Sequence, residues 1–331
     1  MSASHPASPD STGSAVDSFI ADAARAADSA RARLGGALND LFRPSEVRLS
    51  DREHATMTRM LEGLVEEIAR SMFPDVERGV AWRKLAHSRA MRDPELAGLL
   101  LRRADEHYLG RSLRAHFSGN IIVEGLTGHA DHAIAEAASS LLSAESRRVD
   151  RFGEPLLIAA ELPAAVLHRI TWRIAETLDD PDRDLVGAVD AVFARHERSD
   201  AADRLARALA VLLHRDGELD DALCYGAFRE GWLHLWVASL AVRSEVSSSL
   251  IWTMIADRDA SRMTLLLRAT GWDRTLALRL ITDLLIARGG QTSDADYELG
   301  AAADAFDDLS VEAARALIRP WRSDDEDRVA A

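Results

Sequence analysis

The stretch "CYGAFREGWLHLWVASLAVR", Cys224 to Arg243, decides the fold. From Gly231 to Val242 it is apolar except for His234 and Ser239, some twelve residues in all. A bilayer-spanning helix needs roughly twenty, so the run is too short to cross a membrane. Arg229 and Glu230 precede it and Arg243 follows it, the pattern of a buried helix that surfaces at its two ends. Working outward, breaks near Gly217, Gly231, Ser244, Asp259 and Gly271 recur every twelve to fifteen residues. Each interval is one short helix, and tight turns between short helices force antiparallel packing. That points to an all-α fold of the α-solenoid or HEAT-like type. In such a stack residues 231–242 form an inner helix, and Trp232, Trp236, Trp252 and Trp272 fill the seams between layers.

Elsewhere the dominant apolar period is three to four and β-branched alternation is sparse, so little or no sheet is expected. Ser50 to Glu53, "SDRE", has capping-box spacing and predicts a helix start near Asp51. Its apolar face uses Met57, Met60, Leu61, Leu64, Val65 and Ile68, and Pro74 ends or restarts it. Asp93-Pro94 and Asp180-Pro181 each place a cap before a proline whose missing amide costs nothing in the first turn. Before these, residues 14–48 read as an amphipathic Ala-rich helix. Its seam runs through Val16, Ile20, Ala23, Ala27, Ala30, Leu34, Ala37 and Leu41; docking on its own domain is the preferred reading, with a homodimer through this helix or a loosely held arm as the alternatives. The organisation expected is a disordered start (1–13), that helix, a helical-repeat domain (49–321) whose two halves meet near 150–155, and an acidic disordered tail (322–331).

The 40 basic residues against 54 acidic ones give a formal charge of −14, which opposes both a nucleic-acid footprint and an anionic membrane surface. The single cysteine, Cys224, forms no internal disulfide and fits a reducing compartment. The N-terminus "MSASHPASPDSTGSAVDS" has neither a basic start nor an apolar core, so a cytoplasmic location is expected.

Three segments together, "LSDREHATMTRMLEGLVEEIARSMF", "GELDDALCYGAFREGWLHLWVASLAVRSEVSSSLIWTMIADRDASRMTLLLRATGW" and "LSVEAARALIRPWR", resemble an uncharacterised all-helical family of alphaproteobacterial cytoplasmic proteins known only as a domain of unknown function. The resemblance covers roughly residues 49 to 322. It implies a helical-repeat fold, no established activity and no family catalytic residues to carry over.

Four groups of side chains bear on chemistry. In "GHADHAIAE", His129, His132 and Glu136 are spaced to share one helical face, as two imidazoles and a carboxylate do around a divalent metal. Three ligands from one helix seldom converge on one ion, and a polar first turn is the preferred reading. His168 in "AVLHRITWRIAETL" resembles a phosphoacceptor histidine, but without an ATP-lid pattern the preferred reading is the edge of the core. Arg102-Arg103, and Arg147-Arg148 with Arg151, suit phosphate or carboxylate binding, with solvated helix ends as the preferred reading. His234 and Cys224 fall on either side of the Gly231 break, which favours a buried histidine and an inert thiol. The sequence has no Walker loop, no Gly-x-Gly-x-x-Gly, no His-Glu-x-x-His and no Gly-x-Ser-x-Gly. The expected function is therefore a non-catalytic scaffold or regulatory adaptor with a protein partner and no cofactor. A metal-dependent enzyme using His129, His132 and Glu136, or a phosphotransfer protein using His168, is the alternative.

Overall fold

The computed structural model describes Ala21, Arg25 and residues 50–85, 93–117, 119–178, 184–197, 201–257, 259–289 and 292–322. The expected 14–48 helix with its dimer seam, the Asp180-Pro181 cap, the 1–13 segment and the tail beyond Arg322 lie outside the described residues. Among the described residues the protein is helical with no strand. The bridges Val149 to Pro155 and Val246 to Arg322 stand alone. The chain divides into two compact units, each described by itself. One comprises Ala32–Tyr108 and Val123–Leu209, and the other Met1–Arg31, Leu109–Ile122 and Ala210–Ala331. They are called the first and second unit below.

The first unit is organised around α1 (Asp51–Met72). Ser50 Oγ accepts from the Glu53 amide at 3.2 Å while Glu53 Oε2 accepts from the Ser50 amide at 2.9 Å, the reciprocal cap expected from "SDRE". All six residues of the predicted apolar face are buried, and the helix stops two residues before Pro74. A short α2 (Val80–Leu85) follows, then α3 (Pro94–His116), which begins as expected at Pro94. Asp93 Oδ1 accepts from the amides of Glu95 and Leu96 at 3.0 and 3.2 Å. Beyond α4 (Ile121–Thr127) and α5 (His132–Ser146) come α6 (Ala164–Thr177) and α7 (Leu185–Glu197). Helix α1 packs against α2, α6 and α7, and its Leu64, Val65 and Ile68 share a core with Val166, Ile170 and Val189. A solenoid repeat touches only its neighbours in sequence. Contact of α1 with helices more than ninety residues further along departs from that rule, so this unit is a bundle closed on itself and not a linear array.

Helix α8 (Ala202–Arg215) leads into the second unit, made of α9 (Asp221–Arg229), α10 (Leu233–Ser244), α11 (Ser248–Ile255), α12 (Ser261–Ala269), α13 (Arg274–Ala287), α14 (Thr292–Asp308) and α15 (Val311–Ile318). The predicted breaks fall between these helices. Gly217, Gly231 and Gly271 take the left-handed backbone, φ 77°, 74° and 75°, where a Cβ is strained. After Ser244 the same role falls to Glu245 at φ 61°. Asp220, Ser247, Asp273 and Ser310 cap the following helices with their side chains. Every residue of α10 from Leu233 to Ala241 is buried, so the opening stretch is an inner helix as expected. Trp236 is fully enclosed with its ring 4.6 Å from Phe228, Trp252 and Trp272 are buried, and Trp232 is half-buried. Here too packing exceeds nearest neighbours, because α12 meets α14 and α15 as well as α11 and α13.

Candidate functional site

Helix α5 starts at His132, with Asp131 as its cap accepting from the amides of Ala133 and Ile134. His129 therefore precedes the helix, and its Nδ1 accepts from the Asp131 amide at 3.0 Å. His132 and Glu136 do share a face, 3.7 Å apart, with both side chains largely in solvent. The structure brings together two of the three candidate ligands and turns the third onto the backbone. His168 is exposed on α6, its Nε2 accepting from the Trp172 indole at 3.1 Å and its ring 5.6 Å from Phe193. Its neighbour Arg169 pairs with Asp93 at 2.7 Å and Glu95 at 2.6 Å, tying α6 to the start of α3.

The arginine pairs differ from the solvated helix ends expected of them. Arg102 does lie near the surface and meets Asp203 at 2.5 Å, and Arg147 and Arg151 are exposed. Arg103 and Arg148, by contrast, are buried, Arg103 on the inner side of α3 and Arg148 in the turn just beyond the end of α5. Between them lies Glu106, also buried, which binds Arg103 at 3.0 Å and takes both terminal nitrogens of Arg148. Glu161 meets Arg148 Nε at 2.5 Å and Glu145 meets its Nη1 at 3.3 Å. Arg103 also donates to the carbonyls of Leu156 at 3.0 Å and Arg148 at 2.6 Å. Two guanidinium groups thus face three carboxylates.

Burial works against the charge of Arg148, yet Glu106, Glu161 and Glu145 outweigh it and hold the group well above its ordinary range. For Arg103 burial prevails over Glu106, and its proton affinity falls. Glu67 on α1 extends the cluster. Burial raises its pKa, opposed by the Ala159 amide it accepts from at 3.2 Å. Sequence reasoning named the arginines but missed Glu106, Glu145 and Glu161. The signal was there for two of them, since Glu106 lies three residues after Arg103 and Glu145 three before Arg148, spacings that share a helical face.

This cluster has a mechanical consequence. It clamps the backbone of residues 148–156 to α3, and from that base projects the turn Asp150–Glu154. Asp150 Oδ1 accepts from the amides of Phe152 at 2.8 Å and Glu154 at 2.9 Å. Gly153 at φ 76° donates to the Asp150 carbonyl at 2.9 Å, and the Asp150 amide donates to the Glu154 carbonyl at 2.9 Å. The expected meeting place of two halves is thus a braced turn inside the first unit. At its tip Phe152 is 73% exposed with the Arg151 guanidinium 4.6 Å above its ring.

In the second unit the attractive residues are packing groups. Cys224 lies on α9 and His234 on α10, separated by the Gly231 turn as expected. Burial pushes the Cys224 thiol up to about 11, against the pull of Arg243 3.7 Å away, so it is protonated at neutral pH. Arg243 binds Asp221 at 2.6 Å, and the other oxygen of Asp221 accepts from the Asp273 amide at 2.7 Å, joining α9, α10 and α13. His234 sets its ring edge against Trp252, 5.5 Å between centroids. Asp257 and Arg262 form a buried two-pronged pair at 2.6 Å and 2.6 Å, while Arg288 donates to the carbonyls of Asp257 and Met254.

No described helix is long and apolar enough to cross a membrane. The family model described as "Uncharacterised protein conserved in bacteria (DUF2336)" matches residues 80–319. No curated protein and no solved structure matches the chain.

Proposed function

Because the chain belongs to this family of uncharacterised proteins conserved in bacteria, whose description carries no activity, we propose that it is a non-catalytic adaptor that acts in the cytoplasm by presenting a helical surface to another protein. One observation carries the reading. The side chains with most chemical potential hold the fold itself, with Arg103 and Arg148 closed on Glu106, and Cys224 raised and held by Arg243. His168 accepts from Trp172, and His129 is turned onto a backbone amide. What these contacts stabilise is the helical packing within each unit, the kind of platform a binding module requires. The metal alternative has two groups on one helix face, and the phosphotransfer alternative has a histidine with its Nε2 engaged. Affinity capture of the full chain from its native host should recover one protein in fixed stoichiometry that persists through size-exclusion chromatography. A chain that elutes alone as a monomer, with nothing enriched above background, would reject the proposal.

A further inference from the structure

Among the described residues six large apolar side chains stand exposed: Ile121, Leu142, Phe152, Val186, Ile286 and Tyr297. Five of them lie on helices, where a surface apolar residue is ordinary. Phe152 alone is displayed on a turn, a place that glycine, asparagine, aspartate and serine usually hold for their backbone and hydrogen-bonding preferences. The turn closes through Asp150, Gly153 and the Phe152 and Glu154 backbone, so the Phe152 side chain takes no part in its closure.

Three features make this phenylalanine unlike a stray surface residue. Its backbone is held, by the Asp150 hydrogen bonds, the Val149–Pro155 bridge and the buried Arg103–Arg148–Glu106 cluster beneath. A pre-ordered aromatic loses little conformational freedom when it docks. It carries a cation, since Arg151 lies over its ring and has no ion-pair partner among the described residues. Two exposed arginines, Arg147 and Arg151, precede and follow Asp150 closely in a chain of formal charge −14. The nearby acids are already committed, Glu154 to Arg59 at 2.7 Å and Asp150 to the turn amides, whereas Arg147 and Arg151 stay exposed. A carboxylate approaching the tip meets the Arg151 guanidinium over the Phe152 ring.

We propose that the Arg151-Phe152 tip is a docking knob for another protein, one that presents an apolar socket with Asp or Glu at its rim. Phe152 fills the socket and Arg151 meets the rim carboxylate, the paired aromatic and arginine contacts that dominate small interfaces. This rests on the adaptor reading and deepens it by naming the contact and its chemistry.

The test uses the full chain in its native host, with the photo-crosslinking benzoylphenylalanine placed at position 152 in one variant and at 297 in another. The expected result is that position 152 captures one protein through a peptide containing apolar residues next to Asp or Glu. Purified, that protein should bind Phe152→Ala and Arg151→Glu at least about tenfold more weakly than the parent, and Arg151→Lys with a smaller loss. Both side chains are solvent-facing, so circular dichroism should be unchanged. A partner captured only from position 297, or bound equally well by Phe152→Ala, overturns the docking knob and leaves the adaptor reading standing. Crosslinks to a second copy of this chain, or Phe152-dependent co-sedimentation with phosphatidylserine vesicles, overturn it in favour of those occupants. Capture of no protein from either position, together with a monomeric chain, removes the knob and the adaptor reading together.

Discussion

Helix α1 in the first unit and α10 in the second bury themselves in opposite ways. Helix α1 shows the core one stripe, from Met57 to Ile68, and keeps charged residues such as Asp51, Arg52 and Glu62 on the other face. Helix α10 has no outer face, since its residues are enclosed continuously from Leu233 to Ala241. The surroundings match. The first unit gathers its buried charges, Arg103, Arg148, Glu106 and Glu161, in one cluster, whereas the body of α10 in the second unit is closed by aromatic and aliphatic contacts, with the charged pairs Arg243–Asp221 at its end and Asp257–Arg262 beyond it. A striped helix leaves polar groups to be reconciled by pairing; an enclosed one needs shape complementarity instead.

If that contrast is right, the second unit is most sensitive to lost volume. Trp236→Ala should lower the unfolding free energy by about 3–5 kcal/mol in urea titrations. Amide exchange should accelerate mainly in α9 to α11, and equal acceleration across α1 would break the comparison. The first unit is most sensitive to lost charge balance. Arg148→Met should cost about 3 kcal/mol, the lower end for breaking a buried pair, because Arg103 still serves Glu106. Exchange should rise in residues 145–161, and a stability unchanged from the parent would show that the cluster contributes nothing net.

A smaller effect sharpens the same contrast through pH. Burial raises the pKa of Glu67, so the folded state binds its proton more readily than the unfolded chain does. Stability from this group therefore falls as pH rises from the ordinary value of 4.5 through the raised one, and stays low above it. Glu67→Gln keeps an acceptor for the Ala159 amide without the charge. It should stabilise the protein slightly at pH 7, with the difference from the parent vanishing below about pH 4.5. A loss of stability at pH 7 would mean that the carboxylate's hydrogen bond outweighs its burial.

The sequence was most readable where local rules act alone. "SDRE" placed the start of α1, Asp93-Pro94 placed that of α3, and the glycines at 217, 231 and 271 placed the breaks around α9, α10 and α12. It was less readable where distant residues meet. Arg148 looked like a solvated helix end because its chief partner, Glu106, lies forty-two residues away. The linear array was inferred from regular spacing, yet spacing says nothing about whether α1 returns to α6 and α7. For the candidate site, His132 and Glu136 met as their i, i+4 spacing required, while His129 failed because the helix begins later than the histidine pattern implied.

What the amino-acid sequence determined by itself is the all-helical class, the buried character of residues 233–241, the bounds of α1, the start of α3 and the breaks that separate α8 to α13. These follow from the 3.6-residue period, capping chemistry and glycine, all of which act within a few residues. Tertiary structure alone decided that Arg103 and Arg148 are interior, that the helices close into two bundles, and that Phe152 is held outward on a braced turn. Burial and charge pairing depend on which distant surfaces meet, and that is a property of the folded chain as a whole.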